Sequence, residues 1–159
     1  MLLIDCYNLI HAPMPAALAG LDESRLCRLL AGSAYREGRI VVVCDGVVKP
    51  GGPAFSPVPE VEIVYSGPGR SADAVIEQMV DQDSAPRRVS VVSDDRQVRK
   101  AARRRRCRIL SCQDLAHELV SVLAARASTS GAGKPDASGL SGAEVDRWVE
   151  TFEGDDEGA

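Results

Sequence analysis

Short apolar runs that end in acids are the feature that most restricts what this chain can become. Met1–Ile4, Arg39–Cys44, Val61–Tyr65 and Val89–Ser93 read as strands, and longer stretches with helical spacing separate them. Strands alternating with helices specify βαβ units and a parallel sheet. The expectation is an α/β fold, a three-layer α/β/α sandwich around a mostly parallel five-stranded sheet. Parallel strands set their C-terminal ends along one edge, and open α/β sheets bind ligands outside that edge. Asp5, Asp45 and the pair Asp94–Asp95 follow three of these runs directly, and Asp73 lies just past the fourth. Carboxylates gathered there would repel one another, so such a cluster ordinarily holds a divalent cation.

The boundaries follow from local signals. Asp22 is an N-cap for a helix expected to reach Arg36, with Leu26, Leu29 and Leu30 inside and Gly38 as its stop. Gly46–Pro59 reads as a long Gly/Pro loop near the site. Ser71 caps a helix through Asp83, and Asp94–Asp95 open another through Arg105. Cys107–Leu110 is a fifth strand, and a helix begins at Ser111 or Cys112 with Leu115, Leu119, Val122 and Leu123 inward. After His11, Pro13 and Pro15 suggest a loop. Residues 1–126 thus form the domain. The stretch 127–139 is an Ala/Ser/Thr/Gly linker too poor in apolar surface to order itself. Residues 140–153 follow as an amphipathic helix, opened by the capping-box pattern Ser141–Glu144 and carrying Val145, Trp148, Val149 and Phe152. The tail, 154–159, is acidic.

Composition narrows the function classes. The 159 residues suffice for one domain with a real core, at 45% hydrophobic and 26% charged. A net charge of -4 argues against indiscriminate coating of nucleic acid but allows a local basic patch. No run approaches the roughly 20 apolar residues of a membrane span, and Met1 enters a strand pattern without a basic leader. The five cysteines, Cys6, Cys27, Cys44, Cys107 and Cys112, show no CxxC spacing, which points to a reduced, cytoplasmic protein without a zinc site.

Each acid also has a plain structural explanation. Asp5 and Asp45 can serve turns, with Gly46 allowing the chain to swing away, and Asp73 suits the first turn of a helix. Asp94–Asp95 are more than one N-cap needs. It is their joint appearance at the strand exits that favours a shared metal site. Asn8 offers an amide to a ligand or water, and Arg70 is a planar multi-donor cation suited to phosphate.

Arg96, Arg99, Lys100, Arg103, Arg104, Arg105, Arg106 and Arg108 form a run with no acid between them. Solvated helix faces normally mix signs, so a phosphate-contact surface is a reading of equal standing. His11 and His117 lack nucleophile context, and no GxxxxGK[ST] or GxGxxG motif is present, which leaves nucleotide-cofactor chemistry unsupported.

Leu2–Ile10, Val43–Gly46, Arg70–Asp73 and Val92–Asp95 together resemble the motifs of the NYN domain, most closely its YacP-like branch within the PIN-like nuclease superfamily. That resemblance implies a ribonuclease using Mg2+ or Mn2+. Asp5, Asp73 and Asp94 match the family's metal-site carboxylates, Asp45 is a supporting ligand, and Asp95 competes with Asp94 for its position. It implies RNA as partner, an association with ribosomes, and Asn8 orienting Asp5 or touching substrate. Arg70, Ser93, Arg96, Arg99, Lys100 and Arg103 are the accompanying substrate contacts. Two other readings stay open: an RNA- or ribosome-binding module without catalysis, and a protein-docking module acting through the Trp148 helix.

Overall fold

The computed structural model describes residues 1–130. Its order is β1 (Leu2–Asp5), α1 (Cys6–His11), α2 (Glu23–Leu30), β2 (Ile40–Cys44), β3 (Val61–Tyr65), α3 (Ala72–Gln82), β4 (Ser90–Val92), α4 (Arg96–Arg104), β5 (Arg108–Leu110) and α5 (Cys112–Ser130). The five strands lie in the order β3-β2-β1-β4-β5, and every neighbouring pair is parallel. From β1 the chain winds outward through β2 to β3, then returns to place β4 on the other side of β1. The switch point therefore falls between β1 and β4, where open α/β sheets form a crevice.

Alternation along the strands sorts the core into two layers. Leu2, Ile4, Ile40, Val42, Cys44 and Val92 pack with Leu9 of α1, Leu26 and Leu30 of α2, and Leu115 and Leu119 of α5. Leu3, Val41, Val43 and Val91 pack with Val75, Ile76 and Val80 of α3 and Val98 and Ala102 of α4. Both faces of the central strands are covered, which is why they are continuously apolar rather than alternating. Fully burying each large aliphatic side chain contributes about 1.5–3 kcal/mol.

Several boundaries differ from expectation. The helix begun at Asp22 stops at Leu30, because Ser33 donates its hydroxyl to the Leu30 carbonyl (2.7 Å) and accepts from the Tyr35 N–H, starting a separate 3-10 turn at Ala34–Glu37. The residues directly after β1 are helical, with the Pro13 and Pro15 loop following them: Asp5 passes straight into α1 by accepting the Asn8 N–H. α5 continues through Ser130, so the expected linker begins as helix; Ala124, Ala125, Arg126 and Ala127 are strong helix formers. The chain divides into Met1–Ala125, which holds the sheet, and a second unit from Arg126. The rest of the expected linker, the Trp148 helix and the acidic tail lie outside the described residues.

Candidate active site

Asp5 is the last residue of β1 and shares the alternation of Leu3, so its side chain leaves the sheet on the face covered by α3 and α4. It is only 4% exposed. Its Oδ1 accepts the Asn8 N–H at 3.1 Å and its Oδ2 the Ser93 hydroxyl at 3.2 Å. Burial raises the Asp5 carboxyl above the usual carboxylate range, against the lowering effect of these two hydrogen bonds.

Asp73, in the first turn of α3, stands against Asp5. Burial first, then the charges of Asp5, Asp95 and Asp45, push its carboxyl up to about 6. Asp45 follows β2 and accepts the Ala72 N–H at 2.7 Å, tying that strand's exit to the start of α3 beside the Ser71 N-cap. Gly46, at φ +72, turns the chain away, and its N–H and carbonyl are held by Ser66 and Gly67 at the exit of β3.

The two adjacent acids divide their work. Asp95 caps α4 through Oδ1 alone, accepting from Gln97 N–H (2.7 Å) and Val98 N–H (3.1 Å), and its charge adds to the repulsion on Asp73. Asp94 turns toward Arg99 (3.2 Å) and the Cys112 N–H (3.3 Å). Asn8 clamps this corner: its Oδ1 accepts the Asp94 N–H (2.8 Å) and the Cys112 thiol (3.2 Å). Burial pushes Cys112 up to about 12, so it remains a neutral donor rather than a nucleophile.

Asp5, Asp45, Asp73, Asp94 and Asp95 all line one cavity of about 510 Å³, with Tyr7, Asn8, His11, Ala12 and Pro13 as the remaining wall. The turn explanation and the site explanation thus hold for the same residues. Asp5, Asp45 and Asp95 each give oxygen to a helix N-terminus and still face one another; the positive ends of α1, α3 and α4 offset part of the crowding. An all-oxygen, anionic donor set suits a hard divalent cation. Among the described residues, no three His, Cys, Asp or Glu side chains are placed to grip one ion together.

A second cavity of about 770 Å³ shares Asp94 and Asp95 with the first and is otherwise lined by Arg96, Gln97, Arg99, Lys100 and Arg103. The cationic run therefore splits. Arg104 pairs with Asp81 (3.0 Å), and Arg105 donates to the Val80 and Asp83 carbonyls at the end of α3, so these two hold helices together.

Two expected substrate contacts lie outside both cavity linings. Ser93 is fully buried and sits between Asp5 and the Asp95 N–H, where it positions the acids. Arg70 lies along α3, donating to the Ala74 carbonyl and to Gln78, and lines neither cavity. The residues that sequence reasoning passed over are Tyr7, as a wall residue, and His11. Their one-turn spacing becomes visible only once Cys6–His11 is known to be helical.

The YacP-like NYN domain model matches residues 2–148. A crystal structure of Rae1 (YacP) from Bacillus subtilis is similar at 23% identity with a TM-score of 0.61, covering 96% of this chain and 92% of that one. Its W164L mutant is similar at 21% identity and a TM-score of 0.59, covering 83% and 85%. These likenesses concern the fold. No similar sequence was found among curated proteins.

Proposed function

The chain belongs to the YacP-like NYN domain family, and on that premise we propose that it is a divalent-metal-dependent endoribonuclease acting on single-stranded RNA. One observation carries the reading. The carboxylates of β1, β2, α3 and the β4 exit line one cavity at the topological switch point, and a cation-lined cavity opens beside it.

Asp5 and Asp73, the two carboxylates in contact, are the pair that would hold Mg2+ or Mn2+, with Asp45 and Asp95 lining the same cavity and Asp94 engaged by Arg99. A bound divalent ion supplies an activated water and stabilises charge on the leaving oxygen. The remaining work falls to the chain. Ser93 and the Asn8 N–H fix both oxygens of Asp5, so the deepest carboxylate needs no reordering when substrate arrives. Asn8 locks Asp94 to α5 through Cys112. Arg96, Arg99, Lys100 and Arg103 draw the flanking phosphates, an attraction that screens with salt. Burial and the charges of Asp5, Asp95 and Asp45 raise the Asp73 carboxyl to about 6, a crowding that a bound cation would relieve.

A second reading, an RNA- or ribosome-binding module without catalysis, draws support from the wide placement of the carboxylates, no three of which grip one point among the described residues. Cleavage of single-stranded RNA with Mn2+, by wild type and by Asp5→Asn, separates the two. The nuclease reading requires products from the wild type and none from the variant. RNA binding that survives chelation with no products from either protein establishes the module.

A further inference from the structure

One wall of the acidic cavity differs in kind from the rest of the site. Tyr7, His11, Ala12 and Pro13 supply it. Tyr7 and His11 are four residues apart on α1, so their side chains stack one turn above the other. Their ring centroids lie 5.9 Å apart at 38°, within the range of a packed aromatic pair. Pro13 has no N–H to offer an anion, and the wall carries no carboxylate of its own.

Tyr7 is held by two partners that also pair with each other. Its hydroxyl donates to Glu23 Oε1 of α2 at 3.1 Å, and Lys49 Nζ from the β2–β3 loop sits 4.0 Å over its ring and 3.8 Å from the same Glu23 oxygen. The ring is therefore fixed before any ligand arrives. His11, in contact with it, is exposed at the cavity mouth.

The α4 cavity, with Arg96, Arg99, Lys100 and Arg103, is the richer seat for phosphates. A flat, uncharged π-face is what a rigid aromatic pair with apolar shoulders accepts, and base-on-aromatic stacking tolerates any sequence. We propose that Tyr7 and His11 form a nucleobase subsite, on which a nucleotide flanking the scissile bond stacks through its base. The strand then crosses the site with phosphates on α4, the bond to be broken over the carboxylates, and a base against His11. The proposal rests on the nuclease reading in that its ligand is the same RNA strand.

The test compares wild type, His11→Ala and His11→Phe for binding to a short single-stranded RNA and to the same strand made of abasic riboses. Ca2+ replaces Mg2+ so that the strand is held uncleaved, and thermal melts confirm folding. The expected result is a roughly fivefold weaker RNA affinity for His11→Ala, the low end of a single stacking contact. Binding of the abasic strand is unchanged, and His11→Phe returns to the wild-type value. Equal weakening on both strands, a His11→Phe protein as weak as His11→Ala, unaltered affinities or no RNA binding at all overturns the subsite. Cleavage with Mn2+ is scored in parallel. Absent cleavage with base-dependent binding intact sinks the nuclease reading alone, and persisting cleavage with no role for His11 sinks the subsite alone.

Discussion

The two hollows that meet at Asp94 and Asp95 are built on opposite electrostatic plans. In one, carboxylates from four segments of the chain crowd together, and Asp73 is pushed up to about 6 as a result. In the other, Arg96, Lys100 and Arg103 stand along a single helix and form no salt bridge among the described residues. The first carries repulsion that nothing in the chain itself fully relieves; the second is relaxed and solvated. Crowding like charges costs stability and gives a tight, specific demand. Spreading them along a helix costs little and gives a graded, salt-sensitive attraction.

That contrast breaks most sharply at the shared wall. Serine is a good N-cap, so Asp95→Ser keeps the start of α4 while removing a carboxylate from the crowded side. If Asp95 serves the ion, RNA cleavage with Mn2+ falls at least about a hundredfold, since the stabilisation such an ion supplies is several kcal/mol. Asp94→Ser, which frees Arg99, should reduce cleavage less than about tenfold and slightly tighten RNA binding. Reversal of this order in single-turnover rates would return the ligand role to Asp94.

How much of this was legible in the sequence depends on the reach of the interaction. Strands, their order of exits and the acids at those exits follow from apolar runs and local turn chemistry, and β2 and β3 stand where the pattern puts them. The short helix α1 was hidden, because six residues ahead of two prolines carry too little periodicity, and its N-cap is the very acid that the site uses. Tyr7 and His11 were hidden with it. Ser93 was expected to touch substrate. Its burial and its bond to Asp5, distant in the chain, appear only in the fold. Acids on the preceding helix are visible in the sequence as partners for part of the charge run; which cations they hold, Arg104 at Asp81 and Arg105 at the Val80 and Asp83 carbonyls, is set by the packing of two helices.

On the cationic side the effect is smaller and of a different form. Replacing Lys100 and Arg103 with alanine should weaken RNA binding and flatten its salt dependence. The log–log slope should drop by about 0.7 for each single-strand phosphate that is no longer neutralised. Asp45→Asn, in the crowded hollow, should leave that slope alone. Affinities across a salt series decide the matter; a parallel shift without a slope change would remove α4 from the phosphate path.

The crowded hollow also predicts a pH-dependent stability without metal. Asp73 binds its proton more tightly in the folded chain, at about 6, than in the unfolded one, at 3.8. Between those values the folded state holds more protons, so stability falls as pH rises through that window and stays lower above it. Asp73→Asn removes the liability. Its melting temperature should match wild type near pH 4 and exceed it by a few degrees at pH 7 in a chelator. Added Mg2+ should narrow the gap by stabilising the wild type. A constant difference at every pH would show that crowding does not act through Asp73.

The smallest expected effect tests whether the run truly divides. The Arg104–Asp81 pair is exposed, with side chains 64% and 47% accessible, and such pairs contribute about 0–1 kcal/mol. Arg104→Ala should therefore lower the melting temperature by no more than a few degrees and leave the salt slope of RNA binding unchanged. Arg105→Ala removes hydrogen bonds to two carbonyls at the end of α3, part-buried and donated by a charged group, and should destabilise by about 1 kcal/mol or slightly more. Both changes should spare RNA affinity, because neither side chain lines the cavity on α4. A drop in affinity for Arg104→Ala comparable to that for Lys100→Ala would mean that the phosphate path runs the whole length of the helix.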